Sequence, residues 1–130
     1  ATVSSEIKSG FSDFFGAFCE EELAGYIGGR TICGETEIFN VAVAPKFRRK
    51  GMADALIKKF IEAVRKKETQ VIFLEVRTSN LGAINLYEKN GFVFCGIRKD
   101  YYTDPKENAI LMRLAFDGTQ EFEDWDDDEE

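Results

Sequence analysis

The stretch NVAVAPKFRRKGMADALI, residues 40 to 57, holds the change of pattern that decides the fold. It opens with the end of an apolar, β-branched segment, which Pro45 closes because proline cannot donate to a strand ladder. Three consecutive basic residues and a glycine follow, and from Met52 the apolar residues recur every three or four positions. The sequence therefore predicts a strand, a basic turn and an amphipathic helix in direct succession.

Three strand-like segments lead up to this turn. They are rich in β-branched and aromatic residues and are separated by short turns, which favours an antiparallel meander. The three segments are DFFGAFC (13 to 19), AGYIGGRTI (24 to 32) and ETEIFNVAVAP (35 to 45).

The pattern after the turn predicts two helices and three more strands. The first helix runs for about four turns, with Met52, Ala53, Leu56, Ile57, Phe60, Ile61 and Val64 on its apolar face. QVIFLEVR (70 to 77) is nearly unbroken apolar sequence, which predicts a strand buried on both faces. A short helix (79 to 92) and a hairpin (92 to 102 and 108 to 116) complete the order β-β-β-α-β-α-β-β, an α/β class.

Length and charge predict one domain followed by an acidic tail. A chain of 130 residues fits a single core, and its formal net charge is −7. Residues 117 to 130 hold nine acids and no base, so 17 basic and 15 acidic residues remain in positions 1 to 116. We expect residues 1 to 116 to form the domain. The tail is either solvated or docked on the domain through Phe122 and Trp125.

Several classes of function are disfavoured by what the sequence lacks. The chain contains no histidine, which excludes Ser-His-Asp and Cys-His catalysis, and its three cysteines are scattered without a CxxC pair, so no metal site is expected. No basic stripe suggests nucleic acid, and no apolar run suggests a membrane span. We expect a cytoplasmic protein with reduced thiols.

The basic turn suggests a site for phosphate. A helix N-terminus presents about four unpaired N–H groups and the positive end of the helix dipole. Gly51 removes a side chain from that position, and Arg48, Arg49 and Lys50 add positive charge. A solvated surface turn would show the same pattern, and neither the P-loop nor the dinucleotide-binding motif is present.

Three ordered segments resemble the GNAT superfamily of acetyl-CoA-dependent N-acetyltransferases, and within it the bacterial ribosomal-protein-alanine N-acetyltransferases. The segments are NVAVAPKFRRKGMADALI, FLEVRTSNLGAINLYEKNGF and IRKDYYTDPKENAILM, and the resemblance covers about residues 36 to 114. It implies a mixed, mostly antiparallel sheet flanked by helices. The family usually has a first strand and one or two helices before the strand that begins here near Asp13, so these N-terminal elements are expected to be shortened or missing.

The resemblance also implies how acetyl-CoA, the co-substrate, is held. The backbone of Val41, Ala42 and Val43 would contact the pantetheine and thioester, and Asn80 would touch the pantetheine arm. The phosphates would lie against Arg48, Arg49, Lys50, Gly51, Met52, Ala53 and Asp54. An acid at position 54 departs from the family, in which a basic residue is frequent there.

Two residues are candidates for proton transfer. Glu75 is the only charged side chain between Val71 and Val76, which fits a general base or an ordinary carboxylate on a wetted strand face. Tyr87 lies among apolar residues of the short helix, which fits an aromatic core residue. The resemblance implies that Tyr87 is instead the general acid that protonates the departing thiolate.

The acceptor is expected to be a protein N-terminus. An α-amino group is about a tenth neutral at pH 7, whereas a lysine is neutral in only a few parts in ten thousand. The resemblance implies that Tyr101 and Tyr102 grip a peptide, so that the substrate would be the N-terminal Ala of a small-subunit ribosomal protein. Acetylation of a small-molecule amine or a protein lysine, and a non-catalytic acyl-CoA-binding domain, remain the alternatives.

Overall fold

The computed structural model describes residues 2–9, 12–19, 22–48 and 51–116. Two of the predicted cofactor residues, Arg49 and Lys50, and the acidic tail lie outside them. In chain order the elements are β1 (Thr2–Ser9), β2 (Ser12–Cys19), β3 (Glu22–Ile32), β4 (Glu35–Val43), a 3-10 turn (Pro45–Phe47), α1 (Met52–Lys66), β5 (Val71–Arg77), α2 (Leu81–Lys89), β6 (Val93–Thr103) and β7 (Lys106–Ala115).

The strands form one mixed sheet. Within the described residues it has seven strands in the order β1-β2-β3-β4-β5-β7-β6. The predicted meander is confirmed, because β2 to β4 pair antiparallel. β4 and β5 are parallel, since α1 carries the chain back before β5 begins. The predicted order of elements is confirmed from β2 onward, whereas β1 was not predicted and is defined by its pairing with β2.

The parallel pair opens part of the way along. Its described pairing consists of Glu35↔Val71, Thr36↔Ile72 and Glu37↔Phe73. The pairing of β4 with β3 continues to Val43, opposite Gly25. The second half of β4 therefore has a hydrogen-bonded neighbour on the β3 side and an opening on the β5 side.

The core lies between the sheet and the two helices. The apolar period of α1 places Met52, Leu56, Ile57, Phe60 and Val64 in the interior, as predicted. Phe60 meets Phe15 of β2 edge to face, with ring centroids 6.3 Å apart. Full burial of such a side chain contributes about 1.5–3 kcal/mol, so this face of α1 fixes the helix on the sheet.

Only one face of β5 is fully buried, so the prediction of burial on both faces was wrong. Ile72, Leu74 and Val76 are buried in the same core cluster as the apolar side chains of α1 and Tyr87 of α2. The alternate residues are half-buried. Phe73 and Glu75 point to the opposite face, where they line a cavity. No helix in the described part of the chain is long and apolar enough to span a bilayer.

Candidate active site

The start of α1 offers free backbone donors. Gly51 occupies the N-cap with φ 78°, and no described side chain caps the helix. The first intrahelical hydrogen bond runs from the Ala55 N–H to the Gly51 carbonyl, at 3.0 Å. The N–H groups of the three residues between them therefore have no partner within the helix and face outward along its axis. This arrangement fits a phosphate group.

Glycine is required at position 51 by its backbone conformation. A φ of 78° lies in the left-handed region, which side chains disfavour. A Cβ placed there would meet no described atom within 4 Å, so the space in front of the helix is open. The position combines a left-handed backbone conformation with room for a ligand.

The side chains around this turn contribute unequally. Arg48 is exposed, and its Nε donates to the Val43 carbonyl at 3.1 Å, which ties the turn to the end of β4. Met52 is buried in the core, so its N–H is the part that can reach a ligand.

The Asp54 carboxylate is directed at α2. It accepts hydrogen bonds from Lys58 Nζ at 2.8 and 2.9 Å and from Asn90 Nδ2 at 3.0 Å, and Lys89 Nζ lies 3.7 Å away. The hydrogen bond from Lys58 is the largest cause that lowers the pKa of Asp54, followed by that from Asn90. The acid that departs from the family pattern therefore joins the two helices, and its negative charge is compensated locally.

The opening beside β4 is lined by backbone groups of alternating direction. The Ala44 N–H donates to Ala24 of β3 at 2.8 Å. Because successive residues of a strand direct their N–H groups to opposite edges, those of Val43 and Val41 point toward the β5 side. Ala42 then points toward β3, so two of the three residues predicted to contact the thioester present a donor to the opening.

Asn80 begins α2. Its Oδ1 accepts a hydrogen bond from the Ala83 N–H at 3.2 Å, and its own N–H donates to the Arg77 carbonyl at 3.0 Å. Asn80 thus satisfies one of the donors at the helix start and fixes where α2 leaves β5. Contact with a pantetheine arm stays a prediction.

Tyr87 is buried in the core with its ring against Phe92, at a centroid distance of 5.8 Å. Burial, and secondarily the nearby Tyr102, raise the pKa of Tyr87 to about 12. The hydroxyl therefore keeps its proton at neutral pH, which is the form a proton donor needs.

Glu75 is on the other face of β5, where its side chain is 17% exposed. Its Oε2 lies 2.8 Å from Arg98 Nε, and the Tyr101 hydroxyl is also hydrogen-bonded to it. Glu75 and Arg98 line a cavity of about 620 Å³ together with Phe73 and Leu111. The carboxylate is thus oriented by two neighbours on β6 beside open space.

Tyr101 and Tyr102 connect the two proton-transfer candidates. Their rings meet edge to face with centroids 5.0 Å apart. The hydrogen bond to Glu75 is the largest cause that raises the pKa of Tyr101. Burial, followed by the charge of Glu75, raises the pKa of Tyr102. Tyr102 in turn contributes to the raised pKa of Tyr87. Tyr102 therefore feels the charge of Glu75 and itself affects Tyr87, while the roles of Glu75 and Tyr87 in proton transfer stay predictions.

Arg98 and Glu107 were not predicted from the sequence. Glu107 Oε2 accepts from the Ser79 N–H at 2.6 Å and from Thr78 Oγ1 at 3.0 Å, and its Oε1 accepts from Arg77 at 3.2 Å. Hydrogen bonds from the side chain and the N–H of Ser79, then those from Arg77 and Thr78, lower the pKa of Glu107 to about 2. A charged residue early in β7, opposite a strand-to-helix turn, is the only sequence signal for this anchor.

Comparison with known proteins agrees with this architecture. The Acetyltransferase (GNAT) family matches residues 4–92. A [Ribosomal protein bS18]-alanine N-acetyltransferase of Escherichia coli (strain K12) is 39% identical over 95 residues, which are 72% of this chain and 64% of that protein. The crystal structure of the ribosomal-protein-S18-alanine N-acetyltransferase from Escherichia coli superposes with a TM-score of 0.79 at 32% identity, covering 89% of this chain and 77% of that one.

A further solved structure was determined with a ligand. The putative streptothricin acetyltransferase from Bacillus anthracis str. Ames in complex with acetyl coenzyme A has a TM-score of 0.76 at 26% identity, covering 85% of this chain and 66% of that one. The mixed sheet, the opening beside β4 and these matches define one class. The chain belongs to the GNAT family of acetyltransferases and spans 64% of the length of the Escherichia coli relative.

Proposed function

We propose that this chain transfers the acetyl group of acetyl-CoA to the N-terminal amine of a protein, in the cytoplasm. The observation that carries the proposal is the uncapped α1 N-terminus that follows the opening between β4 and β5, with Tyr87 in the core on one face of β5 and Glu75 on the other. The names of the Escherichia coli relative and of the superposed crystal structure support a protein N-terminus, Ala, as acceptor.

The residues present fit acetyl-CoA. The N–H groups of Met52, Ala53 and Asp54 would hold the phosphates, with Gly51 giving access and Arg48, Arg49 and Lys50 supplying charge. The N–H groups of Val41 and Val43 face the opening that the pantetheine arm would enter, and Asn80 would contact that arm. When bound, acetyl-CoA supplies an activated thioester carbonyl.

The side chains divide the proton transfers between them. Glu75 accepts the proton that the attacking amine loses as its N–C bond forms, and Tyr87 supplies the proton that the sulfur gains as the C–S bond breaks. The N–H of Val41 or Val43 donates a hydrogen bond to the carbonyl oxygen as negative charge develops on it. Transfer is direct, so no nucleophilic side chain is required and the cysteines take no part.

The site suits an α-amino group as acceptor better than a lysine side chain. Glu75 is the proposed base, and the chain contains no histidine. An α-amino group is already about a tenth neutral at pH 7, so it is deprotonated more easily than a lysine, whose pKa is about 10.4. Tyr101 and Tyr102 stand beside Glu75 and would contact the first residues of the peptide. We propose the N-terminal Ala of a small-subunit ribosomal protein as the natural acceptor.

A peptide panel tests this function. Purified protein and acetyl-CoA are incubated with Ala-initiated basic peptides, and with the same peptides blocked at the N-terminus but carrying an internal lysine. We expect acetylation of the free peptides and at least about tenfold slower reaction of the blocked ones. Equal rates for the two sets would favour lysine, reaction of small amines alone would favour a small-molecule acetyltransferase, and binding of acetyl-CoA without transfer would leave a non-catalytic domain.

A further inference from the structure

Arg98 is a charged residue that the reaction described above does not yet use. Its Nε lies 2.8 Å from Glu75 Oε2, and its side chain is 58% exposed although its carboxylate partner is only 17% exposed. The guanidinium also lies over the Tyr101 ring, 5.7 Å from its centroid. An exposed arginine is thus held over a largely covered carboxylate by two separate contacts.

The sheet register places Arg98 on the same face of the sheet as Glu75. Arg98 pairs with Ala109, and Ala109 pairs with Arg77, so these three residues share a face with Glu75, two positions before Arg77. The register of β6 against β7 shifts between Phe94 and Gly96. Because a one-residue shift moves every following side chain to the other face, this bulge decides that Arg98 reaches Glu75.

The contact with Arg98 restricts the orientation of the Glu75 carboxylate. A glutamate side chain has three rotatable bonds, and an unrestrained carboxylate beside a cavity of about 620 Å³ would sample several orientations. The carboxylate offers about four lone-pair positions. Arg98 forms an ion pair with Oε2 and the Tyr101 hydroxyl interacts with the same carboxylate, so acceptor positions remain for a proton from the substrate.

We propose that Arg98 is the positioning residue for Glu75: its guanidinium holds the carboxylate in the orientation that accepts the proton of the attacking amine. This inference rests on the proposed function. Arg98 acts through Glu75 and through the ring of Tyr101. Loss of a group that orients a metal ligand costs metalloenzymes about 10–100-fold in metal affinity or activity. By analogy we expect a comparable loss of activity here with the fold preserved, since the arginine is mostly exposed.

Three variants test the proposal: Arg98→Gln, Arg98→Lys and, as a matched control, Lys99→Gln. Lys99 is the next residue of β6, is exposed, and carries the same charge. We expect Arg98→Gln to lower kcat at least about tenfold, with KM for acetyl-CoA and the melting temperature little changed. Arg98→Lys restores part of kcat, because an ammonium reaches the carboxylate with poorer geometry. Lys99→Gln behaves as the wild type.

A readout that does not depend on turnover accompanies the kinetics. The ¹³C signal of the Glu75 carboxyl, recorded without acetyl-CoA, should shift in Arg98→Gln and stay in place in Lys99→Gln. If the wild-type protein transfers acetyl groups and Arg98→Gln keeps its kcat, the inference alone is overturned. An equal loss in Lys99→Gln would assign the effect to net charge and also overturn it. A wild-type protein that transfers no acetyl group rejects the proposed function and this inference with it.

Discussion

Glu75 and Tyr87 lie on opposite sides of the sheet at β5. Tyr87 belongs to the core cluster that α1 and α2 form with one face of β5, whereas Glu75 lies on the opposite face. The proton acceptor and the proton donor are therefore separated by the strand between them. Each can serve a different bond of the same reacting group without the two side chains exchanging their proton directly.

This separation predicts independent losses of turnover at the two positions. Glu75→Gln removes the proton acceptor and Tyr87→Phe removes the donor, and each is expected to lower kcat by at least about 10²-fold with little change in acetyl-CoA affinity. Steady-state kinetics and calorimetry measure the two quantities. Glu62→Gln, at an exposed position of α1, is the control and should keep the wild-type rate. Wild-type turnover in either variant would leave that residue with a structural role only.

Glu75 and Tyr87 were predicted as proton-transfer candidates from the sequence and its family resemblance, whereas Arg98 was not. Glu75 stands out because it is the only charged side chain between Val71 and Val76, whereas the family resemblance, and not the helical period, singled out Tyr87 as the acid. Arg98 precedes Lys99 and Asp100 in a polar run, and the face it takes depends on the register shift before Gly96. A bulge is set by the pairing of two strands, so the β6 sequence alone does not reveal it.

Helices and strands that bury only one of their faces were predictable from the sequence. The apolar period of α1 gave its start at Met52 and its core residues. β1 has few apolar residues, and its pairing with β2 is a tertiary interaction. Burial of β5 on both faces was expected from its unbroken apolar sequence, yet both helices cover the same face.

Glu107 links three of these elements. Its carboxylate joins β7 to the end of β5 and the turn before α2, and Arg77, which it holds, stacks on the Tyr102 ring at 4.1 Å. Movement at Glu107 would therefore reach both the tyrosine pair and the start of the helix that carries Tyr87.

The lowered pKa of Glu107 predicts a pH-dependent contribution to stability. The pKa falls from an ordinary value of 4.5 to about 2 in the folded protein, so the stabilisation is fully present above about pH 4.5 and is lost as pH falls toward 2. Glu107→Gln removes the charge. We expect a lower melting temperature than wild type at pH 7, with the difference shrinking below pH 4.5 and vanishing as pH falls through 2.

Calorimetric melting curves of both proteins across this range measure the difference. Glu88→Gln, at an exposed position of α2, is the matched control and should follow the wild type at every pH. A difference between wild type and Glu107→Gln that stays constant down to pH 2 would show that the carboxylate charge is not what anchors the turn.

At the scale of the whole molecule, the site depends on how the sheet opens. The opening arises where parallel pairing of β4 with β5 stops after Glu37 and Phe73, while β4 continues beside β3. Neither strand carries a sequence signal for this divergence, because it is a property of three strands and a crossover helix together. The resemblance to a family was therefore needed to predict a ligand contact at residues 41 to 43, and the backbone pairing shows an opening beside these residues.

The distribution of charge over the molecule leads to the last prediction. Removing residues 117 to 130 takes away nine negative charges and changes the formal net charge from −7 to +2. All described strands and both helices lie within residues 2–116, so the shortened protein should keep its melting temperature and acetyl-CoA affinity. Attraction for a basic acceptor peptide should fall, which lowers kcat/KM roughly tenfold at low salt.

Salt and a matched variant separate charge from chain length in this test. The Debye length falls from about 10 Å at 0.1 M salt to about 3 Å at 1 M, so the difference in kcat/KM between the full and shortened proteins should disappear at high salt. A protein of full length with all acids of residues 117 to 130 replaced by their amides should behave like the shortened one. If that neutral-tail protein instead matches the wild type at low salt, the tail acts through its length or its aromatic residues, and electrostatic attraction of the acceptor is refuted.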